Sequence, residues 1–361
     1  MFYFLSNFHD IFSFFNIFRY ITFRAGAAAF TSFFLCLILA PIFIRRFQKE
    51  EIKEGIDRDY CEALSKIQGY KQGTPTMGGI FVVASILVSM ILWADLTNHY
   101  VLLTMLTCLG LSVLGFTDDY LKIRQKGHQG LRGWTKLFWQ FILGATIGYY
   151  VVFHSSISTR LDVPFAKSMI FYLGFFYIPW AALIVMSCSN AVNLTDGLDG
   201  LAIGCVLFVA IGLGVLSYIS GNFKFAEYLL LPYIAGTGEL TIACAAIVGA
   251  SLGFLWFNCY PASIFMGDVG SLALGGTLGV IAIFIKKELL LVLLGGIFVW
   301  EALSVILQVA SFKIRHKRIF KMSPFHHHLQ LLGWNESKII VRFWIIAIIL
   351  ALLTLTTIKI R

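Results

Sequence analysis

The sequence predicts an all-α, polytopic integral membrane protein with about ten transmembrane helices. Of the 361 residues, 58% are hydrophobic and 13% are charged, whereas soluble domains carry about 25% charged residues. The mean hydropathy is +0.82. A transmembrane helix needs about 20 mostly apolar residues. Runs of this kind occupy residues 25–44, 76–94, 99–117, 137–153, 169–188, 201–220, 239–257, 270–285, 289–311 and 339–358.

Two segments differ in composition from the other predicted spans. Residues 1–24 mix many Phe residues with polar ones, which is typical of an aromatic segment in the membrane interface. We therefore expect a single ten-helix transmembrane domain over residues 25–361. The run at 270–285 is short and rich in glycine, which indicates either close packing through small residues or a partly re-entrant segment.

Lysine and arginine are distributed unequally between the two sides that these spans define. Nineteen of the 28 fall on one side, within residues 45–71, 122–136 and 313–342. Because basic loops remain in the cytoplasm, both termini are expected to be periplasmic and five loops cytoplasmic. These loops also account for the net charge of +9, and the chain shows no nucleic-acid-binding motif.

Three aspartates stand where a membrane protein tolerates charge poorly. Asp118 and Asp119 follow the third predicted span in "GFTDDYLK", and Asp268 precedes the eighth in "FMGDVGS". A carboxylate near hydrocarbon is costly unless a positive group compensates it. Adjacent helical residues point about 100° apart, and a helix C-terminus disfavours carboxylates. The pair therefore favours a functional role, while Asp268 fits a helix N-cap equally well.

The segment "NAVNLTDGLDG" repeats polar side chains at a spacing of three residues. Asn190, Asn193, Asp196 and Asp199 would share one face if the segment were helical. Helix capping explains Asp196 alone but not the whole segment.

Two further cytoplasmic motifs carry groups suited to anionic ligands. "SPFHHHLQLLG" places His326, His327 and His328 in the most basic loop, where contact with a diphosphate or a sugar fits better than a zinc site. "KQGTPTMGG" offers Lys71, hydroxyl groups and flexible backbone, although it is not a Walker P-loop. Glu301, within the ninth predicted span, suits either a proton path or an internal helix contact.

Together these motifs predict phosphoryl transfer at the cytoplasmic membrane surface. Acids hold Mg²⁺, cations hold phosphate oxygens, and glycines allow close approach of the backbone. In order along the chain, the motifs resemble the polyprenyl-phosphate N-acetylhexosamine-1-phosphate transferase superfamily from about residue 25 onward. The triple histidine favours its muramoyl branch over its GlcNAc-1-phosphate branch.

This resemblance implies a Mg²⁺-dependent transfer of phospho-MurNAc-pentapeptide from UDP-MurNAc-pentapeptide to undecaprenyl phosphate. The products would be lipid I and UMP, in a bacterial plasma membrane, and the protein would be a homodimer. It implies catalytic roles for Asp118, Asp119 and Asp268, and metal binding by Asp268, Asp196 and Asp199. The implied substrate contacts are Lys71, Thr76, Asn190, Asn193, Asp196, Asp199, Asn258, Phe265, Gln308, His326, His327 and His328.

Three alternatives remain at this stage. A GlcNAc-1-phosphate transferase would use UDP-GlcNAc instead, which donor competition would reveal. A cation-coupled transporter would place its acids near the membrane midplane, whereas the acids here cluster at one surface. A structural scaffold would leave the acidic loops without a role.

Overall fold

The computed structural model describes residues 1–8, 12–49, 71, 73–124, 130–163 and 170–357, and most of the predicted loop over 45–71 lies outside these ranges. The described residues form a bundle of α-helices that packs around one long buried helix. The helices are α1 (Ile21–Lys49), α2 (Gly79–Trp93), α3 (His99–Arg124), α4 (Gly133–His154), α5 (Tyr177–Thr195), α6 (Leu201–Ser220), α7 (Phe223–Tyr228), α8 (Leu240–Asn258), α9 (Gly267–Phe284), α10 (Glu288–Leu294), α11 (Gly296–Arg315), α12 (Phe325–Leu331) and α13 (Glu336–Thr357).

The helices agree with the prediction of a polytopic membrane protein. Within the described residues, nine are long and apolar enough to cross a membrane. The predicted second span forms α2, which has only 15 residues. At 1.5 Å per residue it is shorter than the hydrocarbon core, which is about 30 Å thick.

Three local features differ from the predictions. Residues 289–311 form two helices, α10 and α11, which meet at Gly295, where glycine weakens helical continuity. A two-stranded antiparallel sheet, Arg160–Asp162 with Ile170–Tyr172, is added to a fold that otherwise agrees with the predicted all-α class. Finally, α3 continues to Arg124, so Asp118 and Asp119 lie inside the helix and not at its C-terminus. The argument from the helix dipole was therefore wrong for this pair.

Helix α9 forms the centre of the bundle. Every residue from Val269 to Phe284 is buried, and the helix packs against α2, α3 and α5. Its glycines and alanines allow these neighbours to approach closely. The prediction of close packing through small residues is thus confirmed, and the segment forms a continuous helix.

Gly115 on α3 determines how closely α3 approaches the start of α9. A Cβ atom at this position would overlap the backbone carbonyl of Asp268. The contact lies one turn before Asp118, so the same approach brings the two acidic motifs together. Glycine is required here because backbone cannot move aside as a flexible side chain can.

The N-terminal segment packs against the bundle in two 3₁₀ helices, Phe2–Phe8 and Ser13–Arg19. The Phe2 and Trp93 ring centroids are 4.7 Å apart. The Arg24 guanidinium lies 4.6 Å from the Tyr3 ring centroid. The membrane-interface location of this segment remains a prediction.

We predict that Gly115→Ala destabilises the protein although alanine favours helices. The added methyl group would push α3 away from α9, and overpacking of this kind costs about 1–3 kcal/mol. Thermal unfolding in detergent, followed by intrinsic fluorescence, measures the effect. Gly26→Ala in α1, where an added Cβ meets nothing within 4 Å, serves as the control. Equal unfolding temperatures in the two variants would contradict the prediction.

Candidate active site

Asp118, Asp119 and Asp268 form a buried acidic centre where the C-terminal part of α3 meets the first turn of α9. One ligand oxygen from each carboxylate lies within 4.8 Å of the others. Asp118 is fully buried, and Asp119 is 5% exposed. Three carboxylates at such separations repel one another strongly in a medium of low dielectric constant. The centre therefore requires positive charge.

Two lysines supply that charge in the structure. The Lys122 Nζ lies 2.6 Å from Asp118 Oδ2 and 3.2 Å from Asp268 Oδ2. The Lys136 Nζ lies 2.7 Å from the same two oxygens. Lys122 follows Asp118 by one helical turn, and Lys136 lies in the first turn of α4. Three carboxylates against two ammonium groups leave one net negative charge.

Asp119 reaches the same centre by a different contact. Its Oδ2 accepts a hydrogen bond of 3.2 Å from the Val269 N–H, in the first turn of α9. Gly267, which precedes that turn, has a φ of +73°, a conformation that glycine adopts without strain. The side chains of adjacent helical residues point in different directions. The Asp118 and Asp119 carboxylates nevertheless both lie at the start of α9, because α9 packs directly over this part of α3. Asp268 itself is not an N-cap, since that position is Met266.

Asn193, on α5, orients the Asp268 carboxylate. Its Nδ2 donates to Asp268 Oδ1 at 2.7 Å and to Ser271 Oγ at 2.9 Å. One turn earlier on α5, Asn190 donates to Gln140 Oε1 at 2.7 Å. Asn190 and Asn193 thus share one face of α5, which lies beside the acidic centre.

Asp196 and Asp199 do not continue this face, because the segment is helical only as far as Thr195. Helix α5 ends at Thr195, Asp196 follows as the C-cap, and the chain then turns. Among the described residues, the acidic group that could hold a metal contains neither Asp196 nor Asp199. Metal binding by these two residues remains a prediction.

Asp199 instead belongs to a second set of buried charges, the Lys71 cluster, formed by Lys71, Asp199 and Glu336. The Lys71 Nζ lies 2.7 Å from Asp199 Oδ1 and 2.8 Å from Glu336 Oε1. The Asp199 N–H also donates to Glu336 Oε1 at 2.9 Å. Burial raises the pKa of the Asp199 carboxyl, the Lys71 ammonium opposes that shift, and the Glu336 carboxylate adds to it.

Asn258 and Phe265 lie beside the Lys71 cluster, whereas Thr76 lies close to Gly267 at the start of α9. Asn258 accepts a hydrogen bond of 3.0 Å from the Gly200 N–H and donates one of 2.8 Å to the Ile264 carbonyl. The Phe265 ring centroid is 5.8 Å from Lys71 Nζ. Buried Thr76 belongs to the "KQGTPTMGG" loop, whose backbone exchanges three hydrogen bonds of 2.8 Å with Phe265 and Met266. This loop therefore supports the segment that carries Asp268.

The three histidines diverge on the short helix α12, and each has a different partner. The backbone N–H of His326 and its Nδ1 both lie 3.2 Å from the Glu301 carboxylate, and both residues are fully buried. Nδ1 of His327 lies 2.9 Å from Gln330 Oε1. The His328 Nδ1 accepts from the Lys321 N–H at 3.1 Å. Glu301 is thus an internal helix contact that holds α12.

Gln308 shapes the basic loop before this helix. Its Oε1 accepts hydrogen bonds of 3.0 Å from the Ile319 and Phe320 N–H groups, and its Nε2 donates to the Phe320 carbonyl at 2.9 Å. Its predicted contact with substrate is untested.

Sequence reasoning did not select Lys122, Lys136 or Glu336. A signal for Lys122 was present, because it follows Asp118 by four residues in the quoted motif. Lys136 lies far along the chain from Asp268, and Glu336 from Lys71, so only the packing of helices reveals these pairs.

An apolar groove of about 550 Å³ runs along α5, α9, α10 and α11. Leu137 and Asn190 line the part nearest the acidic centre, and Leu278, Val292, Phe298 and Ala302 line the remainder. A groove of this composition suits a long hydrocarbon chain.

Comparison with known proteins gives a family model, a signature and several full-length relatives. A family model for glycosyl transferase family 4 matches residues 100–286, and a phospho-N-acetylmuramoyl-pentapeptide-transferase signature matches residues 71–83. The phospho-N-acetylmuramoyl-pentapeptide-transferase of Thermodesulfovibrio yellowstonii is 51% identical over 360 residues, covering 99% of both chains. Proteins of the same name from Citrifermentans bemidjiense and Desulforapulum autotrophicum are 50% and 48% identical, over 96% and 100% of both chains.

We predict that Glu301→Gln lowers the free energy of unfolding by about 1–3 kcal/mol, because a buried charged acceptor of two hydrogen bonds is lost. Thermal unfolding in detergent measures this change. Glu227→Gln replaces an exposed glutamate on α7 and should change stability by less than about 0.5 kcal/mol. If both variants unfold with the wild type, Glu301 does not hold the histidine helix.

Proposed function

The chain belongs to the phospho-N-acetylmuramoyl-pentapeptide-transferase family, and from this membership we propose the reaction that it catalyses. It transfers phospho-MurNAc-pentapeptide from UDP-MurNAc-pentapeptide to undecaprenyl phosphate. The products are lipid I and UMP, and the step begins the membrane stage of peptidoglycan synthesis. The relatives carry the muramoyl name, which favours this donor over UDP-GlcNAc.

The observation that carries the proposal is the acidic centre with its two lysines. An oxygen of the lipid phosphate attacks the phosphorus that bears the sugar, and the bond to UMP breaks. One phosphoanhydride replaces another. Because a phosphate monoester is largely ionised near neutral pH, the attacking oxygen needs no strong base. The roles left to the protein are positioning and charge compensation.

Lys122 and Lys136 are suited to bind phosphate oxygens. The Lys122 side chain is 42% exposed and that of Lys136 is 19% exposed. Neither ammonium group is deeply buried, so both can turn from the carboxylates toward an arriving diphosphate. Asp118 has its Oδ1 fixed by the Leu131 N–H at 2.7 Å, which holds the carboxylate in place while the lysines move.

The acidic centre also has the donor chemistry that Mg²⁺ requires. Carboxylate oxygens are hard ligands, and Mg²⁺ usually binds one or two of them together with substrate phosphates. Asp268 with Asp118 or Asp119 would hold the ion. A bound Mg²⁺ would neutralise the charge on the phosphates during transfer. Asn193 keeps Asp268 oriented, and the lysines become free for the substrate.

The apolar groove offers a place for the undecaprenyl chain. It starts beside Leu137, which follows Lys136, and extends along α5 and α11 away from the acidic centre. A lipid phosphate at the acidic centre would thus have its hydrocarbon in an apolar channel.

The location we propose is the bacterial plasma membrane, with the active site facing the cytoplasm and both termini outside. The unequal distribution of Lys and Arg supports this orientation. Cytoplasmic access is also required by a soluble UDP-linked donor. A homodimer is the form we expect from the family.

The proposed function predicts Mg²⁺-dependent release of UMP by the purified protein when UDP-MurNAc-pentapeptide and undecaprenyl phosphate are supplied. Asp118→Asn and Asp268→Asn should each reduce kcat by about 10²-fold or more, the effect of losing a charged group at the reacting phosphates. UDP-GlcNAc is the control donor. Turnover with UDP-GlcNAc alone would assign the chain to the sister branch. Absence of turnover with either donor would refute the proposal.

If the apolar groove holds the undecaprenyl chain, a substitution that fills it should weaken acceptor binding and leave donor binding unchanged. Ala302→Trp should raise the KM for undecaprenyl phosphate by about tenfold, the cost of roughly two lost methylene contacts. The KM for the donor should remain unchanged. Leu307→Trp is the matched control, since Leu307 is exposed on the same helix and does not line the groove. Equal acceptor KM values in both variants would place the lipid elsewhere.

A further inference from the structure

Gln140 is a buried polar residue that the proposed mechanism does not use. It lies on α4, one helical turn after Lys136, and it is fully buried. Its Oε1 accepts a hydrogen bond of 2.7 Å from Asn190 Nδ2, and its Nε2 donates one of 3.2 Å to Ser189 Oγ. Ser189 Oγ in turn donates to the Leu272 carbonyl at 3.0 Å. These bonds form a polar connection from α4 through α5 to α9, which we call the Gln140 bridge.

The Gln140 bridge lies one helical turn further into the bundle than the acidic centre. Each of the three helices that it joins also carries, three or four residues away, a side chain of this centre or in contact with it. These side chains are Lys136 on α4, Asn193 on α5 and Asp268 on α9. Residues at such spacings lie on the same face of a helix. The bridge therefore fixes, close to the site, the relative positions of the three helices that build it.

Lys136 depends on this bridge more than the other two side chains do. Asn193 and Asp268 are hydrogen-bonded to each other, which connects α5 directly to α9. Helix α4 packs along α5 through Gly144 and Gly148, where an added Cβ would overlap the backbone of α5. Such contacts determine how closely two helices approach, but they have little directional preference, whereas a hydrogen bond has one. The register of α4 therefore depends on the Gln140 bridge.

A buried glutamine also needs a physical reason. Leucine would fill a similar volume without the free-energy cost of removing an amide from water. A buried polar network specifies one arrangement of its members when its groups are hydrogen-bonded. The two hydrogen bonds from the Gln140 side chain to α5 give this position such a role.

We propose that Gln140 is a positioning residue for Lys136. By fixing α4 against α5 and α9, its amide holds the Lys136 ammonium 2.7 Å from both Asp118 Oδ2 and Asp268 Oδ2. Gln140 acts through Lys136 and does not contact the reacting groups. The consequence for turnover rests on the proposed function, in which Lys136 binds a phosphate oxygen. The structural part of the inference does not.

Acetylation of lysine side chains by acetic anhydride tests the structural part without any substrate. An amine held between two carboxylates is less available to the reagent than one that is loosely held. In Gln140→Leu, Lys136 should be acetylated about fivefold faster than in the wild type, the factor that corresponds to the loss of one typical hydrogen bond. Mass spectrometry of the peptides measures the rate. Lys122 is the internal reference, because it contacts the same carboxylates from α3, which the bridge does not join, and its rate should not change.

Turnover tests the consequence for the proposed reaction. Gln140→Leu should lower kcat by about tenfold, since a small displacement of a group that binds the reacting phosphates is costly. The KM for UDP-MurNAc-pentapeptide should stay within about threefold of the wild type. In a Lys136→Met background, the same substitution should lower kcat no further, because Gln140 acts through Lys136.

Ser89→Ala provides the matched control. Ser89 donates a buried hydrogen bond of 2.7 Å to the Ala28 carbonyl, which connects α2 to α1. It lies ten residues, or about 15 Å, along α2 from Gly79, which is hydrogen-bonded to Met266 beside the acidic centre. Its loss should lower the unfolding temperature and leave both the acetylation of Lys136 and kcat unchanged.

Three results would overturn the proposal. The first is an unchanged acetylation rate of Lys136 in folded Gln140→Leu. The second is an equal rise for Lys136 and Lys122, which would indicate general loosening of the bundle. The third is an equal fall in kcat on Gln140→Leu with and without Lys136→Met.

Two further outcomes have a defined meaning. If Gln140→Leu does not fold, Ser189→Ala takes its place, because it removes a single hydroxyl group of the bridge, and it should give a smaller rise for Lys136 alone. If the wild type shows no turnover, a selective rise at Lys136 would support the positioning role and refute the proposed reaction.

Discussion

The compensation of three buried carboxylates by two lysines is the interaction on which the site depends. Asp118, Asp119 and Asp268 come together because α3 packs against the first turn of α9, and Gly115 allows that contact. Without Lys122 and Lys136, their mutual repulsion would oppose the same packing. The folded state thus holds a negatively charged centre in place through the two lysine ammonium groups.

Two charged sites at one end of the bundle differ in exposure and in charge balance. The acidic centre has partly exposed lysines and suits phosphates, whereas the Lys71 cluster has a buried ammonium between two carboxylates. The asparagines of α5 and the turn to Asp199 connect the two. The arrangement also argues against a transporter, because these acids lie together near one end of the bundle and not near its middle.

Much of the helical architecture could be predicted from the sequence, because the hydropathy of a segment depends only on residues that are close together in the chain. Close packing was one of the two alternatives for the glycine-rich run that forms α9, and most of the spans were predicted. The break at Gly295, the length of α3 and the turn after Thr195 were not, because helix ends depend on tertiary contacts as well as on local preference. Lys136 and Glu336 were missed for a related reason, since Lys136 pairs with Asp268 and Glu336 with Lys71, each more than a hundred residues away.

We propose that the divalent cation binds at the acidic centre and not at the Asp199 turn. Titration of Mn²⁺ into the purified protein, followed by electron paramagnetic resonance, tests it directly, with Asp268→Asn and Asp199→Asn compared to the wild type. We expect the tight Mn²⁺ site to be lost in Asp268→Asn and retained in Asp199→Asn. Loss of the site in Asp199→Asn with retention in Asp268→Asn would contradict the account.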